Sequence, residues 1–147
     1  MTPAKWVATL GGAGLIRPAP GTWGSAVVLP LALLGPLPCL VLAGAVTVAG
    51  FWAGPRVLTA EEDPGWFVAD EGAGMLLVLA ALPHPSWLGV ILGFVIFRAL
   101  DIAKPWPVSW ADAQAGTLGV MLDDILAGAI GAALLLAIGR FFPGILA

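Results

Sequence analysis

Segment 119–139 is the feature that most constrains the fold, because it is long enough to cross a membrane and yet contains two adjacent acids. Asp123 and Asp124 are its only charged residues. A carboxylate in hydrocarbon costs roughly 3 kcal/mol even on a lenient insertion scale. These side chains must therefore lie near water or be neutralised. We expect them at the entry end of the last helix, where the N-terminal dipole favours negative charge.

The remainder of the chain is similarly apolar. Of its 147 residues, 60% are hydrophobic and only 10% are charged. Soluble domains contain about 25% charged residues, so this chain has too little polar surface to coat a soluble globule. We therefore predict an integral membrane protein in contact with the lipid bilayer, with a single domain over residues 1–147.

The basic and cysteine residues argue against several other kinds of protein. The six lysine and arginine residues are scattered and form no basic patch, which argues against nucleic acid as a partner. Cys39 is the only cysteine, so the chain has neither an internal disulfide nor a multi-cysteine metal site. We predict that Cys39 is a buried, small hydrophobic residue.

Apolar stretches alternate with proline-rich turns and short polar segments. The apolar stretches predict helices over residues 24–34, 38–53, 72–82, 86–100 and 119–140. Proline-rich segments between them end or kink the helices, and these are residues 35–38 and 83–85. If each reverses the chain, all the polar segments lie on one face of the molecule. The polar segments are residues 20–25, 69–74, 97–105 and 122–124.

The predicted fold class is therefore all-α: a membrane-embedded helical bundle of short hairpins, with Pro-rich turns and with polar motifs gathered on one face. Sixteen helical residues rise only about 24 Å, against roughly 30 Å of hydrocarbon. Only the last helix is expected to span comfortably, and the hairpins are expected to be shallow or re-entrant. Gly128, Gly131 and Ala132 are small enough to let another helix approach the last one closely.

The predicted face gathers five of the nine acidic residues of the chain. They are Asp70, Glu71, Asp101, Asp123 and Asp124. Carboxylates this close repel one another unless a cation joins them. All-oxygen ligands suit a hard ion, and Mg²⁺ fits better than Ca²⁺ because it binds a few carboxylates together with phosphate. Adjacent acids on a helix point about 100° apart, so we expect one of each pair as a direct ligand and the other as a supporting group or base.

Two further motifs have both a functional and an ordinary interpretation. Arg98, Asp101 and Lys104 recur every three residues, so they share one side of a helix and can be simple ion pairs. Alternatively, Arg98 or Lys104 binds a phosphate while Asp101 binds a metal, since charges within a membrane are usually functional. In PGTWGS, Thr22 and Ser25 can bind a phosphate at a helix start or simply cap the helix.

The other polar residues are expected to have ordinary roles. We interpret Asp112 and the acids of segment 61–63 as solvated loop charges, and His84 as a residue of the membrane interface.

The cations predict the orientation in the membrane. Lys5, Arg17, Arg56 and Lys104 lie in or beside the polar face, and only Arg140 lies at the far end. The positive-inside rule therefore places the polar face in the cytoplasm.

Four blocks, PAPGTWGS, DEGAGM, FVIFRALDIAKPWPVSWAD and GTLGVMLDDILAG, closely resemble motifs of the bacterial phosphatidylglycerophosphatase A family. The resemblance covers residues 18–128, and the last two blocks are long, in the family's order and highly specific. Gly72 and Ala73 depart from the pattern, because family members usually have bulkier residues there. This departure bears on helix packing more than on catalysis.

The resemblance implies an all-α, Mg²⁺-dependent lipid phosphatase of the bacterial cytoplasmic (inner) membrane. Its substrate would be phosphatidylglycerophosphate, hydrolysed to phosphatidylglycerol and phosphate in phospholipid biosynthesis. The residues transferred by motif comprise a metal-binding group, a catalytic group and a substrate-binding group. The metal-binding group is Asp70, Glu71, Asp101, Asp123 and Asp124; the catalytic group is Glu71, Asp101, Asp123 and Asp124; the substrate-binding group is Thr22, Ser25, Arg98 and Lys104.

We expect the metal to activate a water molecule for in-line attack on the phosphate, while Arg98 and Lys104 neutralise its charge. Glu71 would take the proton of the water, and a phospho-aspartyl intermediate is the alternative. Another lipid phosphate could be the substrate. Two non-enzymatic hypotheses also fit an acidic membrane chain. A cation-transport subunit would have acids at several depths, and a structural subunit would have its acids paired to Arg98 and Lys104.

Overall fold

The computed structural model describes residues 1–59 and 63–146, and within them it contains seven α-helices and no β-strand. The α-helices are α1 (Pro3–Ala8), α2 (Pro20–Ala26), α3 (Pro36–Val57), α4 (Ala69–Leu79), α5 (Trp87–Ala103), α6 (Val108–Asp112) and α7 (Gly116–Phe141). Short 3₁₀ helices occupy Ala13–Leu15, Leu29–Leu34 and Pro143–Ile145. The all-α prediction is confirmed. Glu61 and Glu62, predicted as loop charges, lie outside the described residues.

The central helix of the bundle is α4. It packs most extensively against α7 and α3 and also contacts α2 and α5. Nine of its eleven residues are buried, so it is apolar on all sides except at its first turn, as a fully enclosed helix must be. The acids Asp70 and Glu71 in that first turn are therefore held inside the bundle.

The outer helices α3, α5 and α7 expose apolar side chains. Val48 of α3, Val95 of α5 and Leu136 of α7 are all more than half exposed. By length and composition, α3 with 22 residues and α7 with 26 can each cross a membrane, and less than half of each candidate span is buried. A core helix of a soluble protein would be mostly buried, so these exposed apolar faces are consistent with a bundle that faces lipid.

Prolines explain two of the differences between the predicted and the observed helix boundaries. The helix predicted over 24–34 is divided: α2 ends at Ala26, because the ring of Pro30 would clash with the carbonyl group of that residue. The helix predicted over 38–53 instead begins at Pro36, since proline is tolerated in the first turn. A second helix therefore has the length to span a membrane, and the expectation of only one such helix is corrected.

The two proline-rich segments lie together at one end of the bundle. Pro36 and His84 line a common apolar cavity of about 520 Å³ with Leu136 near the end of α7. The prediction that both segments reverse the chain on the same side is confirmed. The polar segments consequently meet at the opposite end, which we call the acidic end.

Close contact between α4 and α7 depends on glycine. A Cβ atom built on Gly128 would lie 2.7 Å from the Cα atom of Gly74, and one built on Gly74 would lie 2.6 Å from the ring of Phe97. Real side chains do not approach backbone this closely, so the two helices touch backbone to backbone. The predicted close approach at Gly128 is confirmed, and it fixes the depth at which the acids of α7 face those of α4.

Candidate active site

Five carboxylates from three helices converge at the acidic end. Asp70 and Glu71 belong to the first turn of α4, Asp101 to α5, and Asp123 and Asp124 to α7. Single oxygens of Asp70, Asp123 and Asp124 lie within 4.8 Å of one another, and so do those of Glu71, Asp101 and Asp124. Every predicted metal ligand is therefore part of the cluster. Both members of each adjacent pair have an oxygen in at least one of these sets. Which member is a direct ligand and which is a supporting group stays a prediction.

Three of these acids have a buried oxygen without a partner. Asp70 Oδ1, Glu71 Oε2 and Asp124 Oδ1 form no hydrogen bond within the described residues. Asp70 is only 5% exposed and Asp124 only 2%. A buried acceptor without a partner costs roughly 1–3 kcal/mol, and an all-oxygen set is what a hard divalent cation such as Mg²⁺ prefers. The cluster has the donor chemistry of a metal site.

Arg98 and Lys104 pair with the other two acids. The Arg98 guanidinium forms a salt bridge with Asp101. Lys104 Nζ lies 2.5 Å from Asp123 Oδ2 and 3.7 Å from Asp101 Oδ1. The ion pairs predicted from the spacing are thus present, while Arg98 Nε is buried and forms no hydrogen bond in the described part of the chain. Within residues 1–59 and 63–146, pairing to these two cations leaves three of the five acids without a salt bridge.

Lys104 is held by a further acid that the sequence interpretation missed. Its Nζ lies 3.4 Å from Asp112 Oδ1, whose side chain is 40% exposed. Asp112 is therefore solvated, as predicted, but it ends α6 instead of lying in a loop and it pairs with Lys104. Lys104 adopts a left-handed conformation with φ 47° and ends α5 directly before Pro105. The chain then turns into α6, which brings Asp112 back to the lysine. The separation of eight residues gave no periodic signal, because the contact depends on this turn.

The segment PGTWGS lies beside the acids, as predicted. A Cβ atom built on Gly21 would lie 2.6 Å from Glu71 Oε1 and 3.3 Å from Arg98 Nη1, so only glycine fits there without a shift. Thr22 follows it in α2. Ser25 is fully buried, and its hydroxyl donates a hydrogen bond of 2.8 Å to the Gly21 carbonyl. The roles of Thr22 and Ser25 in substrate binding stay predictions.

Asp123 and Asp124 lie deeper in their helix than expected. Because α7 begins at Gly116, they occupy its eighth and ninth positions, about 11 Å from its start. The helix dipole acts mainly within the first turn, so the expectation that it stabilises these acids at the helix entrance was wrong. For Asp123, the Lys104 ammonium and the Asp124 backbone N–H, which donates a hydrogen bond of 2.8 Å to Oδ1, take this role.

Burial dominates the electrostatics of the first turn of α4. It raises the pKa of Asp70 well above its usual range, and the neighbouring Glu71 carboxylate raises that pKa further. Burial likewise raises the pKa of Glu71. For Lys104, partial burial alone would lower the pKa, but its contacts with Asp123 and the surrounding acids outweigh this effect and raise it. Lys104 is therefore a permanent cation at neutral pH.

Comparison with known proteins identifies the family of the chain. The family model of phosphatidylglycerophosphatase A matches residues 6–139. The chain belongs to the phosphatidylglycerophosphatase A family. This membership confirms the predicted family and the predicted enzyme class, a phosphatase.

The matches to individual relatives cover most of both chains. The chain is 42% identical over 139 residues to phosphatidylglycerophosphatase A of Escherichia coli K12, which covers 90% of this chain and 81% of the relative. It is 38% identical over 136 residues to the Haemophilus influenzae protein of the same name, covering 86% and 83%. A putative phosphatidylinositol-3-phosphatase of Bacteroides thetaiotaomicron is 36% identical over 145 residues, covering 90% and 91%. No solved structure is significantly similar to the chain.

Proposed function

We propose that this chain is a Mg²⁺-dependent phosphatase that hydrolyses phosphatidylglycerophosphate to phosphatidylglycerol and phosphate, a step of phospholipid biosynthesis. The observation that carries the proposal is the set of buried, unpartnered carboxylate oxygens beside Arg98 and Lys104. Its occurrence in a chain of the phosphatidylglycerophosphatase A family supports the substrate.

The cluster suits a divalent metal ion. Asp70, Glu71, Asp101, Asp123 and Asp124 supply only oxygen donors, and three of them have a free buried oxygen. When bound, Mg²⁺ would polarise the phosphoryl group and lower the pKa of a water molecule. The three acids that lack a salt bridge are the residues expected to gain most from the ion.

The remaining groups have roles that follow from their positions. Arg98 and Lys104 neutralise negative charge on the phosphate as it transfers, and the buried Nε of Arg98 supplies an unused donor. Glu71 accepts the proton of the attacking water with the carboxylate oxygen that does not bind the metal, and burial moves its pKa upward, toward the pH at which a base is efficient. The backbone at Gly21 approaches Glu71 and Arg98 closely enough to border the phosphate.

We further propose that the bundle is embedded in the bacterial cytoplasmic membrane, with the acidic end facing the cytoplasm. The exposed apolar faces of α3 and α7 support the embedding. Trp106 and Trp110 follow Lys104 at the acidic end and are 80% and 54% exposed, as expected for tryptophans at a membrane interface. The cations Lys104 and Arg56 flank the same end, which supports the cytoplasmic orientation.

A structural subunit and a transport subunit make different predictions about the acids. A structural subunit would pair its acids with cations, whereas Asp70, Glu71 and Asp124 have free buried oxygens. A transport subunit would distribute acids along a path, whereas these five are gathered in one cluster. Another lipid phosphate stays a second candidate substrate, because the Bacteroides relative is named for a phosphoinositide.

The test is phosphate release by the purified chain in detergent micelles. We expect release from phosphatidylglycerophosphate in Mg²⁺, none in EDTA, and recovery when Mg²⁺ is restored in excess. Parallel reactions with phosphatidylinositol 3-phosphate and phosphatidic acid measure headgroup preference, and Asp123→Asn tests the cluster. Release that persists in EDTA would contradict the metal requirement. Faster release from the phosphoinositide would favour the second candidate.

A further inference from the structure

The five carboxylates form two overlapping ligand sets rather than one. The first set is Asp70, Asp123 and Asp124, and the second is Glu71, Asp101 and Asp124. Among the residues that the structure describes, only Asp124 belongs to both. It is 2% exposed, and its Oδ1 forms no hydrogen bond among the described residues. A single buried carboxylate therefore lies where two groups of oxygens meet.

The two sets have the same organisation. Each contains one acid of α4 with a free buried oxygen, Asp70 Oδ1 in the first set and Glu71 Oε2 in the second. Each also contains one acid that a cation already holds: Lys104 binds Asp123 in the first set, and Arg98 binds Asp101 in the second.

The three buried oxygens without a partner are thus one in the first set, Asp70 Oδ1, one in the second set, Glu71 Oε2, and one on the shared residue, Asp124 Oδ1. We propose that the site binds two divalent cations, one in each set, with Asp124 as the carboxylate that bridges them. This inference rests on the proposed metal dependence and deepens it. Enzymes that transfer phosphoryl groups with two ions hold them about 3.5–4 Å apart, a distance that one carboxylate can bridge with one oxygen for each ion.

The charge of the cluster favours two ions over one. With all five carboxylates ionised, as metal binding requires, Arg98 and Lys104 leave three negative charges in excess. One divalent cation would still leave an excess negative charge, which would repel a phosphate monoester that is nearly dianionic at neutral pH. Two divalent cations would give the cluster a net positive charge, which attracts the phosphate. Asp112 adds an acid at the rim, but its side chain is 40% exposed and is screened by water.

The experiment counts Mn²⁺, used as a probe for Mg²⁺, on the full chain in detergent after removal of metal. Equilibrium dialysis gives the number of ions per chain, and electron paramagnetic resonance reports whether two Mn²⁺ ions are exchange-coupled, as carboxylate bridging requires. We expect two ions and a coupled spectrum in the wild type.

Variants of the two sets give the sharper test. Asp70→Asn and Glu71→Gln should each retain one Mn²⁺ and lose the coupling, because each removes an acid from one set only. Asp124→Asn should lower the affinity for both ions by at least about 10-fold. Asp112→Asn, the same chemical change at an acid outside both sets, should retain two coupled ions.

The outcomes separate this inference from the proposed function. One Mn²⁺ per wild-type chain, or two without coupling, would overturn the bridged pair and leave a Mg²⁺-dependent phosphatase intact. No bound Mn²⁺ together with activity in EDTA would overturn both. If Asp124→Asn fails to fold, as judged by circular dichroism, the Asp70→Asn and Glu71→Gln variants still decide, because loss of both ions in either would contradict two separate sets.

Discussion

The two ends of the bundle are built in opposite ways. At the acidic end, buried oxygens of Asp70 and Asp124 have no hydrogen-bond partner within the described residues. At the other end, Pro36, His84 and Leu136 line an apolar cavity of about 520 Å³, and the side chain of His84 is exposed. The acidic end keeps polar groups without partners where helices pack tightly. The opposite end packs loosely but leaves no comparable group among the described side chains.

The comparison distinguishes polar groups that are left available to a ligand from groups that only stabilise the fold. Each unpartnered buried acceptor costs roughly 1–3 kcal/mol, so a chain selected for stability alone would pair or remove it. Looser packing among alkyl groups at the opposite end costs only lost contacts. Function should therefore be sensitive to substitution at the acidic end and insensitive at the other.

The largest expected effect comes from removing the shared acid. Asp124→Asn should lower phosphate release by more than about 100-fold, since second-shell changes at metal sites already cost 10–100-fold. His84→Ala, at the opposite end, should stay within about twofold, as exposed substitutions usually do. The measurement is the initial rate in saturating Mg²⁺. Equal losses in the two variants would remove the functional distinction between the ends.

Lys104 supplies the next largest effect. Lys104→Gln removes the cation that holds Asp123 and should lower activity about 10–100-fold. Asp112→Asn removes only a partly exposed contact of 3.4 Å, worth at most about 1 kcal/mol, and should cost a few-fold.

The pH profile of phosphate release gives a further test of Lys104→Gln. Because the pKa of Lys104 is raised in the folded chain, its ion pairs are fully present below the ordinary lysine pKa of about 10.4 and are lost only above it. Wild type and Lys104→Gln should therefore have the same basic limb in their profiles at pH values up to about 9. A basic limb in this range that is present only in the wild type would contradict a permanently charged Lys104.

The arrangement of the two ends could be predicted from the sequence, because proline-rich segments alternate with polar ones along the chain. Segments 35–38 and 83–85 reverse the chain on one side, and the polar segments consequently meet on the other. The acidic cluster follows from this alternation alone. The resemblance of the motifs to the family adds the enzyme class, a phosphatase, while the roles of the individual acids stay predictions.

Features that depend on helix starts and tertiary paths could not be predicted in the same way. Ala115 precedes α7 without a side-chain cap, so no sequence signal marked Gly116 as the start, and Asp123 was placed too near the helix entrance. Pro36 was interpreted as part of a turn, although it occupies the first turn of a helix. The contact of Asp112 with Lys104 depends on the path through α6.

A smaller effect is expected where glycines set the packing of the acidic end. Gly128→Ala forces a Cβ atom to within 2.7 Å of the Gly74 backbone. Overpacking costs about 1–3 kcal/mol, and the gain of replacing glycine in a helix offsets about 0.5–1 kcal/mol of it. In the matched variant Gly131→Ala, the new Cβ would lie 3.1 Å from Val78 Cγ2, a side-chain atom that can shift.

The measurement is the apparent melting temperature of both glycine variants, in the same detergent and at the same scan rate. Gly128→Ala should melt lower than Gly131→Ala and should also lose more activity, because Gly74 and Gly128 hold α4 against α7 at the level of the acids. A larger loss in Gly131→Ala would show that backbone contact between these helices does not determine the geometry of the site.

The smallest expected effect is at the apolar cavity, and it tests the other half of the comparison. Ala81 is 7% exposed and lines the cavity, so Ala81→Val adds apolar contacts where space exists. Cavity-filling changes commonly contribute about 0.5–2 kcal/mol of stability, and the melting temperature should rise while the rate of phosphate release stays within about twofold. Stability and activity would then change independently at this end, whereas Gly128→Ala lowers both.

A large loss of activity in Ala81→Val, with the fold retained, would mean that the cavity is coupled to the carboxylate cluster through α4. The two ends could then no longer be treated as separate.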